Sequence, residues 1–211
     1  LNLVSDDAIY DILGNHDMSP DEKQAAAAPL LLRHLEQNST IANIAVVTKD
    51  GNMYASFSDS AIKPSNAFLE QIQESFLVFD SAPRYDSEGN RYYLLGKRFQ
   101  NFNTSYQLGS LVLYIRAQAF ETPFEEMTYD GSYYFLCTDG QVMAQSAQLP
   151  QELLLVPTIS VSDRPVRVQV GNDACLAMAQ RIEIASVPAV FQLVNIMTDN
   201  AASALSKNLM W

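Results

Sequence analysis

The feature that most constrains the fold is a strand–turn–strand signature that occurs twice. Residues 44–56 (IAVVTKDGNMYAS) and 134–146 (YFLCTDGQVMAQS) share an apolar segment, a threonine, an Asp-Gly pair and a second segment with methionine and small polar residues. An Asp-Gly pair between two such segments is typical of a tight turn between antiparallel strands, because glycine adopts the positive φ that the turn requires. Gly51 and Gly140 lie 89 positions apart, which predicts two related sheet units in tandem.

Length and charge narrow the class of protein. The chain has 211 residues, of which 48% are hydrophobic, so it can bury one large core or two small ones. Its formal net charge of −11 argues against nucleic acid partners and against binding to an anionic membrane surface. No apolar run reaches the roughly 18 residues that a membrane span needs. The chain starts at Leu1 and ends at Trp211, and we expect both ends to be cut from a longer protein.

The two cysteines, Cys137 and Cys175, do not form a CxxC site and are too few for a disulfide framework. One interpretation is that both are small buried hydrophobic residues. The other is a single Cys137–Cys175 bond, which requires an extracytoplasmic domain.

The N-terminal segment is predicted to be helical. Residues 1–13 carry apolar side chains at helical spacing. The sequence SPDE at 19–22 predicts the start of a second helix, because its serine can cap, its proline suits the first helical position and its glutamate can bond back to the cap. Pro29 is expected to kink or split that helix, since it lacks an N–H group. Residues 1–37 are therefore predicted to form a helical stalk.

A first sheet unit is predicted for residues 38–116, from apolar and β-branched segments separated by turn residues. Its elements are strands at 41–48, 53–58, 91–100 and 108–115, a helix at 64–79, and loops at 82–90 and 101–106. The continuous apolar run within 108–115 indicates a central strand that is covered on both faces.

A second, shorter unit repeats this pattern over residues 117–197. Its elements are a helix at 119–128, a hairpin at 133–146, a helical turn at 150–155, strands at 165–170, 176–184 and 190–197, and a closing helix at 199–210. Helices on either side of antiparallel strands predict an α+β fold in which helices flank each sheet.

The residues of common enzyme sites are missing. The only histidines are His16 and His34, and neither has the HExxH spacing that binds a metal. The chain has no GxSxG nucleophile elbow and no glycine-rich phosphate loop. We therefore predict a non-catalytic domain that needs no metal or cofactor.

Aromatic and basic residues gather in the first unit, between residues 54 and 114, which hold five of the thirteen basic residues. A pocket for a carboxylate or a polar metabolite uses such residues as a fixed cation, hydroxyl donors and apolar walls. The alternative is that the aromatic residues are simply strand formers, with the basic residues on the solvated face. The predicted ligand-binding residues are Tyr54, Arg84, Tyr93, Arg98 and Tyr114, with Arg84 or Arg98 as the cation. The sequence does not decide which of the two faces of strand 91–100 lines the pocket.

These patterns together resemble a known family. The segments on which this resemblance rests are 44–51 with 53–56, the strand 91–99, the strand 108–115 with its following helix, the hairpin 133–146 and the closing strand 190–197. Their order is similar to that of the extracytoplasmic double Cache (PAS-like) sensor domains of bacterial membrane receptors, especially sensor histidine kinases. The resemblance covers nearly the whole chain. The Tyr/Arg/Trp/Asp signature of the amino-acid-binding subgroup is not evident, since the only tryptophan is Trp211.

The resemblance implies an organisation and a function. Residues 38–116 would be the membrane-distal unit that binds a small-molecule ligand, and 117–197 the membrane-proximal unit. The stalk, 1–37, would form a homodimer, and the helix at 198–211 would lead toward the membrane. The parent protein would then be a membrane-anchored receptor of a two-component system, with this domain outside the cytoplasm. The alternative is a freestanding secreted or surface module for solute binding or adhesion.

Overall fold

The computed structural model describes residues 7–36, 38–57, 62–100, 107–127, 131–146, 164–170, 172–183, 189–199 and 201. The chain divides into two compact units, Leu1–Arg116 and Ala117–Trp211. Several predicted features lie wholly or mostly outside the described residues: the start of the first helix at 1–6, the loop at 101–106, the helical turn at 150–155, the closing helix at 199–210, and the element ends at Ser58, Thr128 and Ile184.

Two helices, α1 (Asp7–Gly14) and α2 (Pro20–Leu35), begin the described chain. The predicted capping box is present, since the Ser19 hydroxyl accepts a bond from the Glu22 amide and the Glu22 carboxylate accepts one from the Ser19 amide at 2.8 Å. The predicted split at Pro29 is wrong, because α2 continues through it. Pro29 is solvent-exposed, and the buried residues on the other side of α2 hold the helix against the sheet.

The N-terminal unit contains a five-stranded sheet in the order β2-β1-β5-β4-β3, with antiparallel neighbours throughout. Its strands are β1 (Ile41–Thr48), β2 (Met53–Ala55), β3 (Leu77–Tyr85), β4 (Arg91–Gln100) and β5 (Gln107–Arg116), and α3 (Asn66–Glu74) lies between β2 and β3 in the chain. The central position of β5 agrees with the apolar run that predicted it.

Strand β3 corrects the prediction of a helix to residue 79 followed by a loop at 82–90. The spacing of Phe68, Ile72 and Phe76 favoured a longer helix, but Ser75 ends α3 in an extended conformation with φ −113° and ψ 141°. Phe76 is 50% exposed and does not join the buried side of α3. Pro83 is tolerated because β3 is an edge strand, and the ladder is irregular between Asp80 and Arg84.

The C-terminal unit repeats the same strand order, β7-β6-β10-β9-β8. Its elements are α4 (Gln118–Glu125), β6 (Ser132–Thr138), β7 (Gln141–Gln145), β8 (Val166–Val170), β9 (Asp173–Glu183) and β10 (Val190–Thr198). Two antiparallel five-stranded sheets with flanking helices confirm the predicted α+β fold of two tandem PAS-like units.

The two hairpins that predicted this repeat are closed by the same atoms. In the first, the Ser56 amide donates to the Ile44 carbonyl at 2.9 Å, and the Ser56 hydroxyl accepts from the Ile44 amide at 3.1 Å. In the second, Ser146 makes both bonds to Tyr134, at 3.0 and 2.9 Å. The serine that ends each signature thus completes the ladder where the second strand leaves the first.

The predicted alternative of a Cys137–Cys175 disulfide is wrong, since both cysteines are free and buried. Cys137 pairs with Gln192 of β10 and Cys175 with Thr198 of the same strand. Six residues of strand separate these positions by about 20 Å, and a disulfide requires Cα atoms within about 7 Å. Burial raises the pKa of both thiols, which favours the unreactive protonated form.

The N-terminal sheet is packed on both faces. One cluster joins α1 and α2 to the sheet and includes Leu31, Val46, Tyr54 and Phe99. The other joins α3 to the opposite face and includes Phe68, Ile72, Val112 and Tyr114. We refer to these as the α1–α2 face and the α3 face.

Gly96 lets α3 approach its face closely. A Cβ atom at Gly96 would overlap the Ile72 side chain and lie 2.8 Å from Cζ of Phe68. Both of these side chains are buried, so neither has free space into which it can turn.

We therefore expect Gly96→Ala to lower the free energy of unfolding by about 1–3 kcal/mol, the usual cost of overpacking a core. Gly14→Ala is the matched control, because its nearest neighbour is a Leu108 methyl group at 4.0 Å. Urea denaturation of both variants measures the difference. An unchanged midpoint for Gly96→Ala would contradict this account of α3 packing.

Candidate ligand-binding cleft

An open cleft of about 470 Å³ lies on the α3 face of the N-terminal sheet. It is bounded by α3, by the end of β1 with its following turn, and by the start of β5. Its lining residues are Val47, Thr48, Lys49, Gly51, Asn66, Leu69, Glu70, Gln73, Gly109 and Ser110. The volume falls within the range of about 300–1,000 Å³ that is usual for small-molecule sites.

The floor of the cleft is formed where β1 and β5 pair. Val47 lies opposite Ser110 and Thr48 opposite Gly109 in the ladder. A Cβ atom at Gly109 would overlap the carbonyl oxygen of Val47, so only glycine allows this close approach of the two strands. The floor therefore consists of backbone, the Val47 side chain and one small hydroxyl.

One polar side chain of α3 is fixed above this floor. Gln73 donates its amide hydrogen to the Ser110 hydroxyl at 2.9 Å and accepts a bond from the Gln107 amide. Ser110 is only 2% exposed. The Ser110 hydroxyl thus joins α3 to the floor of the cleft.

Charges of both signs surround the cleft. Lys49 and Glu70 are exposed lining residues. Arg98 pairs with Ser110 on the next strand, so its side chain leaves the same face of the sheet. Its guanidinium donates a long bond of 3.5 Å to the Glu74 carbonyl, and within the part of the chain that the structure describes its buried Nε has no hydrogen-bond partner. A positively charged side chain therefore leaves the sheet next to Ser110, which lines the cleft.

The structure does not bring the five predicted ligand-binding residues into one site. Arg84, Arg98 and Tyr114 lie on the α3 face, as their ladder partners show. Tyr54 belongs to the cluster under α1 and α2. Tyr93 lies on that same face, because it pairs with Ile115, which in turn pairs with Ile41 of that cluster. Tyr54 and Tyr93 are 3% and 1% exposed and serve as core residues.

The two candidate cations are far apart and differ in their partners. Arg84 forms an ion pair with Asp80 at 2.8 Å, so its charge is already compensated. It pairs with Tyr92 in the ladder, which places it six residues along β4 from Arg98, about 20 Å away at the usual strand rise. A single small ligand cannot contact both arginines, and of the two only Arg98 pairs with a residue that lines the cleft.

Tyr114 holds the chain that leads into α3. Its side chain is 1% exposed, and its hydroxyl donates to the Ile62 carbonyl at 2.6 Å. Burial raises the pKa of Tyr114, so the hydroxyl stays protonated and keeps this bond. Tyr114 therefore fills the α3 face beyond the cleft and fixes the approach to α3.

A tight turn at 86–90 closes the far end of the α3 face. The Asp86 carboxylate accepts bonds from the Tyr92 hydroxyl at 2.7 Å and from the Asn90 side-chain amide at 2.9 Å. These bonds, the one from Tyr92 foremost, lower the pKa of Asp86 to about 2. Tyr92 and Asp86 are thus bound to each other within the turn.

Sequence reasoning missed Lys49, Glu70, Gln73 and Ser110. They come from a turn, a helix and a strand that are distant in the chain, and each is an ordinary surface residue type. The only usable signal was the period-two face that contains Gly96 and Arg98, and the structure shows that this is the face toward α3.

We expect Tyr92→Phe to raise the pKa of Asp86 toward its ordinary value, because the variant removes the strongest bond to the carboxylate. The folded pKa of Asp86 is depressed, so its contribution to stability is present above about pH 4 and is lost as the pH falls toward 2. Carboxyl-carbon NMR titration of the parent and the variant measures the shift. A pKa that stays at about 2 in Tyr92→Phe would refute the role of this bond.

The chain is similar in structure to solved ligand-binding domains of bacterial chemoreceptors. The domain of the amino acid chemoreceptor PctC of Pseudomonas aeruginosa, in complex with GABA, aligns with a TM-score of 0.67 at 12% identity, over 93% of this chain and 88% of that one. The domain of the Pseudomonas fluorescens chemoreceptor CtaA, with L-isoleucine, gives 0.65 at 17% identity, over 96% and 85%. The domain of Mlp24, with asparagine, gives 0.58 at 14% identity, over 97% and 95%.

No protein-family model and no curated protein sequence matches the chain. At identities of 12–17% the structural likeness establishes a shared fold. The alignments cover both sheet units, and the two sheets have the same strand order. This chain therefore has the double Cache fold, the two-unit architecture of the ligand-binding domains of bacterial chemoreceptors.

Proposed function

We propose that this chain is the extracytoplasmic small-molecule-sensing domain of a bacterial membrane receptor, and that its ligand binds in the cleft of the N-terminal unit. The observation that carries the proposal is the cleft itself, which has the volume of a ligand site and lies on the α3 face of a double Cache fold. The domain is non-catalytic in this proposal and acts by binding alone.

Amino acids are the first ligand class to test. The similar domains of PctC, CtaA and Mlp24 were solved with GABA, L-isoleucine and asparagine. The cleft offers the complementary groups: a cation at Lys49, a carboxylate at Glu70, and an apolar wall at Val47 and Leu69. Arg98 is a second cation, on the strand next to Ser110. The missing tryptophan signature means that recognition here relies on different side chains, so other small organic acids belong in the same screen.

Arg98 is the better candidate for the cation that binds a ligand carboxylate. It pairs in the ladder with Ser110, which lines the cleft, whereas Arg84 forms an ion pair with Asp80 at 2.8 Å. An arginine–carboxylate bond is favourable when the guanidinium has free donors in the required direction. Of the predicted residues, Tyr114 contributes by fixing the chain ahead of α3.

The receptor that contains this domain is proposed from the fold. In this proposal residues 1–37 and 198–211 connect the domain to the membrane, the stalk forms a homodimer, and the output is a histidine kinase. A chemotaxis signalling output is the second candidate, because the similar domains come from chemoreceptors. Among the described residues, no helix is long and apolar enough to cross a membrane. The full gene, with its flanking spans and output domain, distinguishes these receptors from a freestanding solute-binding module.

A thermal-shift screen against amino acids, organic acids, sugars and short peptides tests the sensing function. A ligand at 100 times its dissociation constant adds about 2.7 kcal/mol of stability, because it binds only the folded state. We expect a rise of several degrees in the melting temperature for at least one amino acid or organic acid. No rise across the whole panel would contradict direct small-molecule sensing.

Arg98→Ala tests the site. We expect it to weaken binding of the ligand found in the screen at least tenfold, since a hydrogen bond to a charged group contributes about 1.5–3 kcal/mol. Arg84→Ala is the matched control and should bind within about twofold of the parent, because Arg84 lies about 20 Å away along β4. Isothermal titration calorimetry measures both. Unchanged affinity in Arg98→Ala would remove Arg98 from the site.

A further inference from the structure

One side chain of α2 makes a two-point contact with the edge of the N-terminal sheet. The Gln24 side-chain amide donates to the Ala55 carbonyl at 2.8 Å, and its oxygen accepts from the Ala55 amide at 3.0 Å. Gln24 thus pairs with a single residue of β2 as a neighbouring strand would.

The direction of the Ala55 backbone groups explains this contact. In an antiparallel pair, residues alternate between facing the partner strand and facing away from it. Ser56 bonds to Ile44 and Asn52 bonds to Thr48, so both of these β2-side residues face β1. Ala55 is next to Ser56 in the chain and therefore directs its N–H and C=O away from β1. Because β2 is the edge strand, these two groups would be unpaired without Gln24.

The residue before Gln24 ties the same turn of α2 to α1. The Lys23 ammonium group donates to the Leu13 carbonyl at 3.0 Å, near the end of α1. Consecutive residues of α2 therefore hold the last turn of α1 and the edge of the sheet. The capping box at Ser19 and Glu22 fixes the start of the helix just before them.

The buried residues of α2, which are Ala27, Leu31 and Leu35, are all apolar. Apolar packing is not directional and permits small sliding movements. The Gln24–Ala55 pair is directional, since both of its bonds lengthen if α2 moves relative to β2. It therefore sets the register of α2 on the sheet.

The hairpin that Gln24 holds also borders the cleft. Thr48, Lys49 and Gly51 line the cleft at the turn between β1 and β2, while Ala55 at the other end of β2 bonds to Gln24. Immediately after Ala55, the Asn43 side chain bonds to Ser56 and Phe57 at 2.7 and 2.8 Å. The β1–β2 hairpin is thus held at its far end and in contact with the cleft at its turn.

We propose that Gln24 couples occupancy of the cleft to the position of the α1–α2 helices, with the β1–β2 hairpin as the connecting element. The inference rests on the cleft as the binding site, and it adds the route by which that site acts on the opposite face of the sheet. A ligand or a larger side chain that fills the cleft displaces the turn at 48–51, and the hairpin transmits this displacement through Ala55 to Gln24. Gln24 is a positioning residue and does not contact the ligand.

The first test is local. Gln24→Ala removes both bonds to Ala55, and we expect hydrogen exchange of the Ala55 amide to become at least tenfold faster. Arg33→Ala, at an exposed position of α2, is the matched control and should leave this rate unchanged. Gln24→Glu keeps an acceptor for the Ala55 amide but loses the donor, and it replaces Gln24→Ala if that variant does not fold. An unchanged exchange rate in the Gln24 variant would overturn the proposal.

The second test measures the coupling without a ligand. Leu69→Trp places a larger side chain in the cleft and serves as the probe, and Gln71→Trp, at an exposed position of α3 that does not line the cleft, is its control. Amide chemical shifts of α1 and α2 are recorded by NMR for each probe in the parent and in Gln24→Ala. We expect Leu69→Trp to shift these signals in the parent, and the shifts to fall by at least half in Gln24→Ala.

Two results overturn the coupling. One is the absence of α1 and α2 shifts for Leu69→Trp in the parent, and the other is shifts of equal size with and without Gln24. Both measurements use the unliganded chain. A failed ligand screen would therefore reject the sensing function while leaving the Gln24 coupling intact, and failure of the coupling would leave ligand binding intact.

Discussion

The packing of helices on both faces of the N-terminal sheet determines where this unit has open space and which of its side chains are buried. The clusters beneath α1–α2 and beneath α3 fill the two sides of the same strands. Tyr54, Tyr93 and Tyr114 are almost completely buried in this arrangement, so aromatic residues that resemble a binding pocket in sequence are core residues in the fold. Open space remains beside α3, where the end of β1 and the start of β5 form the floor of the cleft.

The same double packing gives the cleft a connection to the helices. A sheet that contacts helices on both sides passes a displacement from one face to the other, provided that at least one contact is directional. On the α1–α2 face most of the contact is apolar, and Gln24 supplies the directional part. A ligand changes the populations of two arrangements only through its different affinity for them, so the strength of the response depends on how far the β1–β2 turn moves when the cleft is filled.

The sequence predicted what depends on local chemistry and missed what depends on pairing between distant segments. The Asp-Gly turns, the cap at Ser19 and the apolar run of β5 are local signals, and each element formed as expected. Strand β3 was missed because Phe76 continues a helical spacing that Ser75 interrupts. The cleft was missed because it requires Val47, Ser110 and Arg98 to align across three strands. The pairing register of distant strands cannot be inferred from composition or from the spacing of apolar residues. The repeated hairpin could be inferred, because its sequence pattern occurs twice in one chain.

The most direct test of the central claim is an NMR titration of the ¹⁵N-labelled domain with the amino acid or organic acid that stabilises it most. The claim that the N-terminal cleft binds the ligand predicts the largest amide shifts at Lys49, Glu70 and Ser110, which line the cleft from three separate elements. Saturable shifts centred on these residues would support the account. Shifts confined to the unit Ala117–Trp211, or centred on the Asp80–Arg84 pair, would contradict it.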